Sequence, residues 1–138
     1  MTGEYNHAID AKGRLFMPAK LRDDLGEAFY VCKGLGGCLF VYSSENWENF
    51  ESKVNEMPIT QAIQFQRNIF PTASRCEPDA QGRILIPQKL REYAKLSKAV
   101  TVLGMGNHAE IWDAPVWDSI SAEQTEETMA ACMVKLQF

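Results

Sequence analysis

Histidine is scarce in this chain: His7 and His108 are the only two among its 138 residues, and they fall at unrelated positions of the pattern described below. No nucleophile stands at a recognisable spacing from a base. Gly34-Leu35-Gly36-Gly37 has no Lys-Ser or Lys-Thr after it, so it lacks the side chains that complete a phosphate-cradling loop. The expectation is a chain that is not an enzyme and takes no cofactor or small-molecule substrate. Long apolar runs are missing too, and none approaches the length that crosses a bilayer. Met1-Thr2-Gly3-Glu4 shows no basic stretch leading into an apolar one, which reads as a cytoplasmic protein without a membrane partner.

Cysteine is sparse and wrongly spaced for metal. Cys32, Cys38, Cys76 and Cys132 form no Cys-x-x-Cys pair, and a zinc site of Cys32, Cys38 and either histidine matches no known ligand spacing. In a reducing compartment the four read as free, buried small hydrophobes, with no disulfide and no metal. An excess of basic residues is absent as well: 14 Lys and Arg face 18 Asp and Glu, for a net charge of -4. A basic surface over the whole protein is thereby excluded. Local basic loops are not, because Lys12, Arg14, Lys20 and Arg22 lie in a stretch without a single acidic residue.

What is present is a hydrophobic content of 46%, enough for a folded core, and an internal repeat. Asp10-Ala11-Lys12-Gly13-Arg14-Leu15-Phe16-Met17-Pro18-Ala19-Lys20-Leu21-Arg22 aligns with Asp79-Ala80-Gln81-Gly82-Arg83-Ile84-Leu85-Ile86-Pro87-Gln88-Lys89-Leu90-Arg91, identical at eight of thirteen positions. After one inserted residue the match resumes: Gly34-Leu35-Gly36 meets Gly104-Met105-Gly106, and Trp47 meets Trp117. The repeats span 5–57 and 73–120. Residues 58–72 bridge them, with a linking helix over Thr60 to Phe70, and 121–138 form a C-terminal helix.

Each repeat predicts the same elements. In the first, a strand at Tyr5 to Ile9 turns at Asp10 to Gly13 into a second strand of the same hairpin, Arg14 to Met17. A short helix opens on Pro18 and stops at Gly26. A second hairpin follows (29–32 and 38–42), then a helix capped by Ser43 or Ser44 with Trp47, Phe50, Val54 and Met57 as a core stripe. Asp113 and Pro115 open its counterpart. Ser121 and Gln124 fit a capping box for the terminal helix, which carries Met129, Met133 and Leu136 on one face and Glu123, Glu126 and Glu127 as a solvated first turn. Repeats this small bury too little surface to stand alone, so the two copies intertwine into one body.

The Asp-x-x-Gly-Arg loops carry the functional signal. Turn chemistry accounts for Asp10, Gly13, Asp79 and Gly82, and an ion pair to the aspartate accounts for part of each arginine. A turn does not require the surrounding charge: Lys12, Arg14, Lys20 and Arg22 in one copy, and Arg83, Lys89 and Arg91 in the other. These seven are the candidate DNA-binding residues, disposed as two related patches suited to phosphates or groove edges. Gln81 replaces Lys12 in the second copy and leaves that loop less basic. A rival reading of the same fold is an antitoxin-like or scaffold module whose helices hold a protein partner.

The run Gly3-Glu4-Tyr5-x-His7-x-Ile9-Asp10-Ala11-Lys12-Gly13-Arg14 through Arg22, with its second copy at Asp79 to Arg91, resembles the MraZ family over nearly the whole chain. The resemblance implies an α+β, β-rich fold of two tandem AbrB-like repeats forming an intertwined swapped-hairpin β-barrel with flanking helices. It implies a nucleoid-associated transcriptional regulator, a repressor of the bacterial division and cell-wall gene cluster. Such a protein assembles into a ring-like homo-oligomer and binds repeated short, G-containing promoter elements. Arg14 and Arg83 are then the arginines at promoter DNA, with Asp10 and Asp79 as their motif partners.

Overall fold

The computed structural model describes residues 1–137. Eight strands and six α-helices alternate as the repeat requires. Strands β1 (Glu4–Ala8), β2 (Arg14–Phe16), β3 (Phe29–Lys33) and β4 (Leu39–Ser43) belong to the first half, with helices α1 (Ala19–Leu25) and α2 (Ser44–Glu56). Helix α3 (Ile59–Asn68) and a 3-10 turn (Phe70–Thr72) lead into β5 (Ser74–Cys76), β6 (Arg83–Leu85), α4 (Gln88–Tyr93), β7 (Ala99–Gly104), β8 (Ala109–Asp113) and α5 (Ala114–Ala122). Helix α6 (Glu126–Val134) ends the series.

The two halves exchange strands. A six-stranded antiparallel sheet has the order β1-β7-β8-β4-β3-β5, so the leading strand of each half borders the hairpin of the other. The hairpins β3–β4 and β7–β8 meet at the centre through β4 and β8, where Leu39 stands opposite Ile111. The remaining strands β2 and β6 pair antiparallel as a separate two-stranded ribbon. The first two strands of a repeat are therefore not a hairpin ladder of their own. Asp10 N–H does bond Arg14 O at 3.0 Å, closing the turn, but β2 then pairs with its own counterpart in the other half. The reason is burial: three-residue strands bury little alone, whereas the β2–β6 ribbon places Leu15 against Ile84 over a common core.

That core is continuous. Leu15, Met17, Leu21, Phe29, Val31, Val41, Ile84, Ile86, Leu90, Val100, Val102 and Ile111 are essentially inaccessible, and both halves contribute equally to it. A second layer is aromatic: Trp47 stacks on Tyr30 and Phe50 on Tyr42, while Phe65 and Phe70 meet Phe50 edge-on. The α2 stripe thus serves packing, as its spacing predicts.

Local signals hold in part. Gly26 closes α1 at φ 86°, and the Ser43 hydroxyl accepts from Asn46 N–H to cap α2. Pro18 sits one position earlier than expected, as the residue preceding α1. Asp113 precedes α5, but its carboxylate accepts from the Ser97 N–H and hydroxyl instead of capping the helix. The capping box at Ser121 does not form. Ser121 lies inside α5, which continues to Ala122, and the following helix starts at Glu126 with Thr125 as its cap. Leu136 falls beyond α6, Met129 and Met133 are exposed, and Phe138 lies outside the described residues.

The four cysteines are free. Cys32, Cys38 and Cys76 are buried as expected, and Cys132 is not, because α6 leaves its residues exposed. Desolvation pushes the Cys32 and Cys38 thiols up to about 12 and Cys76 to about 11. A thiol reagent at neutral pH is expected to modify Cys132 alone in the native protein and all four after unfolding; mass spectrometry of the labelled peptides checks this.

Candidate nucleic-acid interface

Asp10 organises its loop through both carboxylate oxygens. Oδ1 accepts from Lys12 N–H at 3.0 Å and Arg14 N–H at 2.9 Å, and Oδ2 accepts from Arg14 Nε at 2.7 Å. Asp79 repeats the arrangement with Gln81 N–H at 2.9 Å, Arg83 N–H at 3.0 Å and Arg83 Nε at 3.1 Å. The backbone N–H of each motif arginine, followed by the other donors and its guanidinium, holds both carboxyls below the ordinary value of 3.8. A carboxyl shifted this way stabilises the fold fully above its unfolded value and loses that contribution as pH falls through the lower, folded one. The loops consequently keep their shape throughout the neutral range.

Only one guanidinium nitrogen of each motif arginine is used in this way. The terminal nitrogens of Arg14 and Arg83 make no hydrogen bond among the described residues, and the two side chains remain 36% and 32% exposed. The register of the ribbon pairs Arg14 with Leu85 and Phe16 with Arg83. By the alternation of a strand, Leu15 and Ile84 point to the core, so both arginines occupy the outer face of one ribbon.

The remaining basic candidates divide into two kinds. Lys12, Lys20 and Lys89 are exposed, the first in its loop and the others in the opening turns of α1 and α4. Arg22 and Arg91 are half-buried braces. Arg22 Nε donates to Met17 O at 2.8 Å and Arg91 Nε to Ile86 O at 2.9 Å. Each guanidinium lies against the turn glycine of the other half, Arg22 at Gly82 and Arg91 at Gly13. Backbone bonds reinforce the exchange, with Met17 N–H on Gly82 O at 2.9 Å and Ile86 N–H on Gly13 O at 2.8 Å. Each loop is thus shaped by its own aspartate and seated by the partner half.

Two participants escape a reading of the sequence. Phe16 contacts the Arg22 guanidinium, 5.5 Å from its ring centre, and the His7 ring, edge-on with its centre 5.0 Å away. Leu85, at the equivalent position, stands 59% exposed. Their shared outer face emerges only from the β2–β6 register. An apolar cavity of about 460 Å³ lined by Phe40, Phe50, Phe65 and Tyr93 takes no residue from either loop, so it is separate from this interface.

Comparison with known proteins decides the family. The family model described as "MraZ protein, putative antitoxin-like" matches twice, over residues 1–66 and 69–136. The chain belongs to the MraZ family. It is 56% identical over 117 residues to the transcriptional regulator MraZ of Heliobacterium modesticaldum, covering 83% of this chain and 82% of that one. The same-named protein of Carboxydothermus hydrogenoformans is 46% identical over 136 residues, covering 96% and 95%. That of Acetivibrio thermocellus is 46% identical over 138 residues, covering 97% and 96%. Both MraZ units carry the Asp-x-x-Gly-Arg loop, and their tandem arrangement is the one the intertwined sheet displays.

The turn glycines should be the least replaceable residues of the loops. Gly13 has φ 85°, and a Cβ there would stand 2.8 Å from the Arg91 guanidinium carbon and 3.0 Å from Ile86 O. Gly26, at φ 86°, has open space around it. Gly26→Ala should cost about 1–3 kcal/mol from backbone conformation alone, since φ 86° with ψ -171° is a region essentially confined to glycine. Gly13→Ala should exceed it by roughly 1–3 kcal/mol, because the Arg91 brace must also move. Urea unfolding of the two variants measures the difference.

Proposed function

We propose that this MraZ chain is a sequence-specific DNA-binding transcriptional regulator, a repressor of the bacterial division and cell-wall gene cluster. In this reading it acts on repeated short promoter elements from a cytoplasmic, nucleoid-associated location. The observation that carries the reading is the pair of motif arginines on one outer ribbon face, each anchored by Nε, with terminal nitrogens that bond no described residue. Arginine presented in that manner matches the paired acceptors of a guanine edge or a phosphate. Curated relatives carrying the name transcriptional regulator support the same reading.

In this proposal Arg14 and Arg83 make the central contacts, Lys12, Lys20 and Lys89 contact phosphates, and Arg22 and Arg91 hold the loops while adding charge. Asp10, Gly13, Asp79 and Gly82 shape the turns. The repeats at 5–57 and 73–120 form the DNA-binding body, bridged by 58–72. The segment 121–138 contributes to assembly, for which the exposed Met129, Met133, Val134 and Leu136 supply apolar surface. An acidic chain with few basic contacts per subunit needs several subunits on repeated elements to bind tightly, and a ring of copies provides them. Light scattering at micromolar concentration should therefore return a mass several times 15.6 kDa; a monomer would overturn the ring.

The central test is a salt-series titration of the DNA immediately upstream of the gene for this chain, with wild type, Arg14→Ala and Arg83→Ala. Arg14→Ala should remain folded by circular dichroism and weaken binding by roughly 1–3 kcal/mol per engaged site. A base contact relaxes sequence preference, whereas a phosphate contact lowers the salt slope by about one per site. Arg83→Ala should act in the same direction and less strongly, since Gln81 leaves its loop less basic. A folded Arg14→Ala protein with wild-type affinity would refute the assignment.

A further inference from the structure

We propose that Leu85 reads a thymine methyl group beside the base pair contacted by Arg14, and that the β2–β6 ribbon is the element that enters the major groove. The inference rests on the DNA-binding reading above and adds to it a groove, an element and a second base.

A solitary exposed leucine is ordinary on a protein surface and requires no explanation. The position of this one does. Leu85 stands directly across the ribbon from Arg14, on the face that also carries Phe16 and Arg83. Side chains opposite one another on paired strands lie about 5 Å apart at Cβ, so Leu85 is the direct cross-strand neighbour of Arg14 on the outer face.

The two halves differ at this point in a way that exposes the leucine. Phe16 is covered on the first strand by His7 and Arg22. In the second half the residue equivalent to His7 is Cys76, which is buried and offers no ring. Arg91 makes the same brace as its equivalent Arg22, with Nε on Ile86 O and its guanidinium at Gly13, so the difference in cover is the ring that His7 supplies and Cys76 does not. Leu85 is 59% exposed, directly across from Arg14 and on the face that carries Phe16 and Arg83, so more than half of its apolar surface is open to a partner.

Groove chemistry names that partner. A major groove about 12 Å wide admits a two-stranded ribbon, and its one apolar feature is the thymine C5 methyl. The minor groove is narrower and displays no methyl. Arginine on guanine N7 and O6 with leucine on a neighbouring thymine methyl uses both side chains of the Arg14–Leu85 pair.

The test is a thermodynamic cycle between side chain and methyl group. The same upstream DNA is prepared once with thymine and once with deoxyuridine throughout, and titrated with wild type and Leu85→Ala. Removal of the methyl should lower wild-type affinity about fourfold per contacted site. Leu85→Ala should lose a similar factor on thymine DNA and no longer distinguish the two DNAs. Exposure of Leu85 leaves the core intact in this variant, and circular dichroism verifies it. Wild-type protein that binds both DNAs equally, or a Leu85→Ala protein that keeps the full discrimination, overturns the inference while the DNA-binding reading stands. Wild type that binds neither DNA overturns the DNA-binding reading itself.

Discussion

The pairing of β2 with β6 is the constraint on which everything else depends. Each strand is three residues long, too short to bury its apolar side chain against its own half, and each finds the needed partner in its copy across the pseudo-two-fold. That single ladder seats Leu15 against Ile84 at the base of the common core. It also sets the two Asp-x-x-Gly-Arg turns at opposite ends of one ribbon. The braces follow from it: Arg22 reaches Gly82 and Arg91 reaches Gly13 only because the strands have crossed over. The six residues of the ribbon thus give one face to the core, through Leu15 and Ile84, and the other to the outer surface that carries Arg14 and Arg83.

An arginine that forms an ion pair inside its own protein is commonly regarded as spent. Here the pair has a different consequence. Exposed ion pairs contribute little to stability, so the Asp10–Arg14 contact is weak evidence for a purely structural role. Bonding of Nε to a carboxylate, which also accepts two backbone N–H groups, removes much of the rotamer freedom of a long side chain before any partner arrives. Entropy that need not be lost on association appears as affinity. A chain with a net charge of -4 cannot rely on its overall field to hold a polyanion, and in the proposed DNA-binding role preorganised arginines at a few loops are the physical substitute.

The repeat was legible because identity at a fixed offset survives in the residues that turns and cores demand: Asp, Gly, Arg, Pro and Leu. From it followed the strands, the short helices, the Gly26 stop and the Trp47 stripe. Strand partners were not legible, since a run such as Arg14 to Phe16 specifies that it is extended and which side is apolar, not which strand lies beside it. That is why a local hairpin was expected where the ladder crosses between halves. The C-terminal boundary failed for a related reason. Ser121 and Gln124 satisfy the capping pattern, but Ser121 continues α5, and Thr125 supplies the cap three residues past that helix. In the site, the charged residues could be named from sequence, whereas the division into free arginines and buried braces required the exchange to be seen.

Once two copies of a unit share a core, their buried positions are held together by mutual packing, but their outer faces are free to diverge. The buried equivalents here remain close in kind, as in Leu15 with Ile84 and Met17 with Ile86. Some outer equivalents do not: Lys12 with Gln81 and Phe16 with Leu85 differ, whereas Arg14 with Arg83 and Lys20 with Lys89 are kept. Each change leaves the turn and ladder untouched while altering charge, cover or shape on the ribbon face. A symmetric ribbon presents the same chemistry from both ends and suits a palindromic target. An asymmetric one has a direction, and successive subunits carrying it in the same sense favour elements repeated in the same orientation. In the DNA-binding reading proposed above, the divergence of the two loops is the physical basis on which a pseudo-symmetric fold acquires a preference for direct repeats.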